Sequence, residues 1–159
     1  MHTSRTLFVV LLLFFYSVNG ICQDENTKLS GAIIGTQECV DYNNGNQLSY
    51  TVNTAANLFD GDLNNIFATY QRSGGWAGLD LGEKHIITHV GYCPREGWPQ
   101  RSQLGIFEGA NEPDFGDAVP LFIIPDRPLE KQITIQEINC SKGFRYVRYV
   151  GPNDVRCNI

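Results

Sequence analysis

Between positions 31 and 150 the apolar residues of this chain fall in short β-branched and aromatic runs, several of them alternating with polar residues, instead of recurring every third or fourth place. That excludes most architectures. A helix needs a 3.6-residue apolar period, and no window of eleven or more residues supplies a convincing one. "QLSYTVN" (47–53) sets Leu48, Tyr50 and Val52 against polar neighbours, and "HIITHVGYC" (85–93) is rich in β-branched and aromatic residues. Further runs of this kind fall at 31–36, 76–81, 102–109, 119–124, 132–138 and 144–150. "LEKQITIQEI" (129–138) looks briefly helical, but Ile133 and Ile135 alternate. Gly, Pro, Asn and Asp clusters separate the runs, as turn chemistry requires. About eight short strands of this spacing predict an all-β sandwich or jelly roll. Parallel βαβ folds are excluded because crossover helices are missing.

The N-terminus reads differently. Arg5 precedes a ten-residue apolar run from Leu7 to Tyr16, and Val18-Asn19-Gly20 supplies modest residues at a cleavage position. This is the pattern of a secretory signal peptide over 1–20. The run is too short for a bilayer span of about 20 residues. Residues 21–28 are polar and expected to be loose; one domain is expected over 29–159. The five cysteines show no C-x-x-C spacing, so zinc and redox motifs are unsupported. In an oxidising compartment they would tend to pair. Cleavage after Gly20 would leave five, cleavage after Cys22 four, and the sequence does not choose. Asn139-Cys140-Ser141 is a glycosylation sequon. A formal net charge of −5 with no basic run argues against nucleic acid.

The stretch "ANLFDGDLNNIFATY" (56–70) carries the densest candidate chemistry. Its Asp-Gly-Asp centre suits a tight turn, in which Asp60 accepts backbone N–H bonds and Gly61 takes a positive φ. The same oxygens suit calcium, which takes six to eight such ligands. A catalytic acid pair has no cleft or pKa-raising neighbour to support it. His85 and His89, four apart on a strand, lie about 13 Å from each other and cannot share one ion. No nucleophile elbow, zinc-protease motif or phosphate loop is present.

Residues 56–82 resemble the core signature of the galactose-binding-like superfamily, which includes discoidin domains, coagulation-factor type C domains and many carbohydrate-binding modules. Asn57, Asp60, Gly61, Trp76, Leu79, Asp80, Leu81 and Gly82 carry the likeness. Pro94, Arg95, Gly97, Trp98, Pro99, Arg101, Phe107, Gly109 and Asn111 are similar, in order, to a subgroup motif. "FRYVRYVGPND" (144–154) resembles the penultimate strand and its exit loop. Three linked motifs in order are far more specific than one.

The resemblance implies an eight-stranded antiparallel jelly-roll sandwich and a structural calcium. The ligands would be the Asp60 side chain and carbonyls near Asn57 and Asp62, with Thr69 a weaker candidate. It also implies that a last strand is missing after Ile159, which would leave ladder groups unpaired and the calcium shell short of a carboxylate. Sugars in this fold are held by loops at one end, through aromatic stacking and fork-like donors. The candidates are Tyr70, Arg72, Arg95, Trp98 and Arg101, whereas Trp76 begins a core strand and is expected to be structural. The expected function is a non-catalytic, secreted or cell-surface module binding glycans or glycoproteins. Single-site affinity would be on the order of 0.1 to 1 mM, raised by multivalency. Alternatives are a protein- or phospholipid-binding adhesion module, or an accessory domain of a larger secreted glycoside hydrolase.

Overall fold

The structure, a computed structural model, describes residues 13–17, 27–36, 38 and 53–159. Among these residues there are eight strands: β1 (Leu13–Ser17), β2 (Thr27–Lys28), β3 (Ala32–Gly35), β4 (Trp76–Tyr92), β5 (Ile106–Ala110), β6 (Val119–Ile123), β7 (Thr134–Glu137) and β8 (Gly143–Val150). The helical content is two 3₁₀ turns, Ala55–Leu58 and Pro99–Arg101. The strand expected over 47–53 lies outside the described residues apart from Asn53, as do Cys22 and Cys39.

Every strand pairing among the described residues is antiparallel, and β4 runs through both ladders. Its first half pairs with β3 and β8, from Trp76↔Val150 to Ile86↔Gly143, and β8 continues through β5 to β6. Its second half pairs with β1 on one side, Ile87↔Ser17 to Tyr92↔Leu13, and with β7 on the other. The two sequence runs at 76–81 and 85–93 are therefore one strand. The "GEK" between them, read as a turn, is a bulge: the register shifts between Asp80 and His85. Gly82 sits there at φ 79°, and its N–H donates to Asp80 Oδ1 at 2.9 Å. A bulge of this kind bends a strand without ending it, so one element can serve both ladders.

The core draws on both ladders, as a sandwich requires. Ala77, Leu79, Phe107, Val147 and Tyr149 come from one; Ile87, Val90 and Tyr92 from the half of β4 that serves the other. Phe67, Phe107, Phe144 and Tyr149 are fully buried, each worth about 1.5–3 kcal/mol of burial. Trp76 is structural as expected, packing its ring 5.2 Å from that of Phe115 in a smaller cluster with Tyr146.

Three local findings differ from the sequence reading. β5 begins at Ile106 rather than 102, because Pro99–Arg101 coils into a 3₁₀ turn and Leu104 adopts φ 68° before the strand starts. Thr27 and Lys28, expected to be loose, pair with β1, and β1 itself lies within the segment 1–20 read as a leader. Cys93, Cys140 and Cys157 are free thiols, the first and last of them buried.

Candidate functional site

Two groups of polar residues lie beside the segment that leads into β4. The first is the acidic turn. Gly61, at φ 91°, lets the chain reverse so that the Asp62 N–H donates to Asp60 Oδ1 at 2.8 Å. Asn65 Nδ2 donates to Asp60 Oδ2 at 2.7 Å. Asp62 Oδ1 accepts from the backbone and side-chain nitrogens of Asn64, which hold its carboxyl below the usual range. Asn57 ties the turn to the next stretch of chain, with Nδ2 donating to the Ile66 carbonyl at 2.7 Å. Lys28 comes in from β2, Nζ to the Phe59 carbonyl at 3.3 Å; burial draws its pKa down and Asp60 opposes that shift. Asn65 Oδ1 is buried with no hydrogen-bond partner. Thr69 stands apart from the turn's bonds: its buried hydroxyl donates to the Gln71 carbonyl at 2.8 Å. No group of three or more His, Cys, Asp or Glu side chains suited to a metal occurs among the described residues.

The second group is a half-open cleft of about 320 Å³ whose lining includes Arg72, Arg95, Arg101, Arg156 and Asn158. Its four arginines come from three loops. Arg95 precedes the second 3₁₀ turn and Arg101 ends it, and both reach the buried Asn158 side chain, Nη1 to Oδ1 at 3.4 and 3.5 Å. Arg101 also lies under Trp98, its guanidinium carbon 3.9 Å from the ring centroid. Trp98 remains 43% exposed. Arg72 caps the far loop, Nη2 to the Asp154 carbonyl at 3.1 Å with the carboxylate at 3.8 Å. Arg156, at φ 62°, donates to the Tyr70 carbonyl, while its own carbonyl accepts from Thr69 N–H at 2.8 Å. Tyr70 is 51% exposed beside this strip. Burial, and then the charges of Arg95, Arg72 and Arg156, draw the Arg101 pKa down; arginine nevertheless stays cationic.

Of the ligand candidates chosen from sequence, Arg72, Arg95 and Arg101 thus line one cleft, with Trp98 stacked on Arg101 and Tyr70 close by in the chain. Asn57, Asp60 and Asp62 share the turn, and Thr69 is occupied elsewhere. Sequence reasoning missed Arg156 and Asn158. Both lie in the loop after β8, which the Phe67 N–H to Ile159 carbonyl and Thr69–Arg156 bonds bring back across the molecule; nothing local marks them.

No protein-family model and no curated protein matches the chain. Solved structures do. The CBM62 of Clostridium thermocellum Xyl5A is 42% identical, with a TM-score of 0.74 over 82% of this chain and 90% of that one. The chain belongs to the family 62 carbohydrate-binding modules. Two Clostridium perfringens structures share the module's fold at lower identity. CpGH89CBM32-5, solved with GalNAc-β-1,3-galactose, is 20% identical, with a TM-score of 0.51 over 80% of this chain and 87% of that one. The family 32 module of NanJ, solved with galactose, is 9% identical, with a TM-score of 0.54 over 79% and 86%. The galactose-binding-like jelly roll read from the motifs is therefore the fold of the module. Modules of these families bind carbohydrate and are not catalysts.

Proposed function

We propose that the module holds a glycan, without changing it, across the Trp98 ring and the arginine-lined cleft. The observation that carries this is the Trp98 ring, 43% exposed and stacked on the Arg101 guanidinium at 3.9 Å. An accessible indole stacked on a guanidinium offers a flat, oriented apolar surface. The apolar face of a pyranose is a natural cover, with adjacent guanidiniums bonding its oxygens. The solved galactose complex of a relative with this fold points to galactose-type sugars. In this reading the chain is not an enzyme: the acidic residues of the 56–70 loop are committed to the turn, and the cleft is lined by donors. A glycan array should give hits that Trp98→Ala abolishes while the melting temperature stays within a few degrees; retained binding would remove Trp98 from the site.

Calcium at the acidic turn is part of the same reading. The buried, unpartnered Asn65 Oδ1, one amide away from Asp60, is the kind of oxygen a cation would satisfy. Asp60, Asp62 and Asn57 would hold the ion, with Thr69 outside the set. Its contribution would be charge and rigidity, not reaction. The apolar run before Gly20 supports export to the cell exterior or surface, which N-terminal sequencing of the expressed protein would check. A phospholipid surface is the weaker alternative, since Trp98 and Tyr70 are the exposed aromatic side chains beside the cleft's arginines among the described residues; sedimentation with vesicles in the absence of glycan hits would favour it.

A further inference from the structure

Resting on the calcium reading of the acidic turn, we propose that Lys28 is a tethered competitor for the ion: its ammonium steadies the turn in the absence of calcium and lowers the affinity for calcium when the ion arrives. Lys28 is not part of the turn. It comes in from β2, and its Nζ donates to the Phe59 carbonyl, 31 positions along the chain, at 3.3 Å. Phe59 is the residue immediately before Asp60, and the Asp60 carboxylate acts on the ammonium through its charge. The backbone under this lysine is held on both sides. Lys28 pairs with Tyr16 of β1, and Leu29, next in the chain, is buried in the core. The side chain itself is half-buried, so it is a placed cation rather than a free surface lysine.

The charges say what such a cation does there. Asp60 and Asp62 put two carboxylates into one short turn. The bonds they accept from the Asp62 N–H, Asn64 and Asn65 come from neutral dipoles, which offset no net charge. One ammonium offsets half of that charge, and a calcium ion would offset all of it. An ammonium is a partial substitute in geometry too. It has three donors, against the six to eight oxygens that calcium gathers, and Asn65 Oδ1 stays buried with no hydrogen-bond partner. Lys28 therefore keeps the turn together without completing it. When calcium binds, the two cations repel. A unit charge and a divalent ion several ångströms apart, in a partly exposed site, repel by enough to change affinity about tenfold. The lysine thus makes the turn's calcium exchangeable while sparing the calcium-free turn the mutual repulsion of its carboxylates.

The test compares the full chain with Lys28→Met, which keeps the apolar stem and removes the charge, and with Lys28→Arg, which keeps the charge. Calorimetric titration with calcium chloride gives the affinity, and melting in excess calcium and in chelator gives the stability of each state. We expect Lys28→Met to bind calcium about tenfold more tightly and to melt below the wild type in chelator, so that the gap between its two melting temperatures widens. Lys28→Arg should keep the wild-type values. The opposite signs matter, because the loss of a mere structural brace would weaken calcium binding and calcium-free stability together. Lys28→Gln, which also keeps a donor for the Phe59 carbonyl, serves if Lys28→Met fails to fold in chelator. Calcium binding seen only in the charge-removed variants would support the proposal in its strongest form. Calcium affinity unchanged or weakened in both Lys28→Met and Lys28→Gln would overturn it and leave the calcium reading standing. No calcium binding by any of the proteins, with melting indifferent to chelator, would overturn both.

Discussion

Asp80 shows how one carboxylate can join three pieces of chain. It sits at the bulge of β4, accepts the Gly82 N–H at 2.9 Å, and takes a two-pronged bond from Arg145 of β8, Nε at 2.8 Å and Nη2 at 3.0 Å. The Arg145 bond first, and the Gly82 bond second, hold the Asp80 carboxyl below its ordinary range. A carboxylate whose folded pKa lies below its unfolded value favours the fold above the unfolded value, near about 4, and loses that contribution as pH falls through the folded one. The urea midpoint should therefore decline below about pH 4, and Asp80→Asn should flatten the decline. Flattening will be partial, because Asp62 and Asp117 are lowered in the same direction by backbone bonds. An acid limb identical in both proteins would show that the pair contributes nothing. The thiols offer a second prediction at this scale. Burial pushes the Cys157 thiol up to about 12 and raises that of Cys93, whereas Cys140 is half-exposed. Since the thiolate is the reactive form, iodoacetamide on the folded chain should label Cys140 first. Peptide mass spectrometry should find Cys157 unmodified until denaturant is added.

Among the elements, β1 makes the sharpest demand on experiment. It pairs with β4 from Ile87 to Tyr92, and with β2 beyond, yet it lies in the segment that reads as a leader. A chain starting at Ile21 would leave those β4 groups without that partner. Unpaired ladder groups are costly, and an open edge invites association. Such a chain should melt several degrees below the full one, or sediment as a dimer through that edge. Equal melting temperatures with a monomeric profile would show that β1 adds nothing. β3, β6, β7 and β8 are legible in the sequence within a residue or two because β-branched and aromatic runs stand between turn residues there, with a clean two-residue alternation of burial in β7 alone among the four. β4 is legible as strand but not as one strand: "GEK" carries the composition of a turn, and only pairing on both sides of it shows a bulge. The start of β5 is obscured because Gln103 and Leu104 continue the alternation through residues that are turned, not extended. The cleft is half legible. Arg95, Trp98 and Arg101 share one motif, but Arg156 and Asn158 reach it through contacts across some 60 to 90 positions of chain, for which no local pattern exists.

At the scale of the whole molecule, the acidic turn and the arginine cleft are not independent. The segment from Ile66 to Tyr70 touches both. Asn57 of the turn holds the Ile66 carbonyl at 2.7 Å. Directly after it, Phe67 N–H donates to the Ile159 carbonyl at 3.1 Å, and Asn158 Nδ2 reaches the Phe67 carbonyl at 3.4 Å. Ile66 and Ala68 form part of the cleft wall itself. Whatever orders the turn therefore fixes the backbone on which Asn158 and Arg156 rest. If calcium orders the turn, the ion and the glycan must favour one another, and by linkage the effect runs equally in both directions. Chelation should lower the melting temperature and also weaken glycan binding several-fold, although no ligand atom of the ion belongs to the cleft. Asp60→Ala should reproduce both losses and abolish the response to chelator. Calorimetry with and without chelator measures one direction of the coupling, and the calcium midpoint with and without saturating glycan measures the other. A melting temperature that falls on chelation while glycan affinity holds would mean that the Ile66–Tyr70 strip is rigid without the ion, held from the cleft side alone.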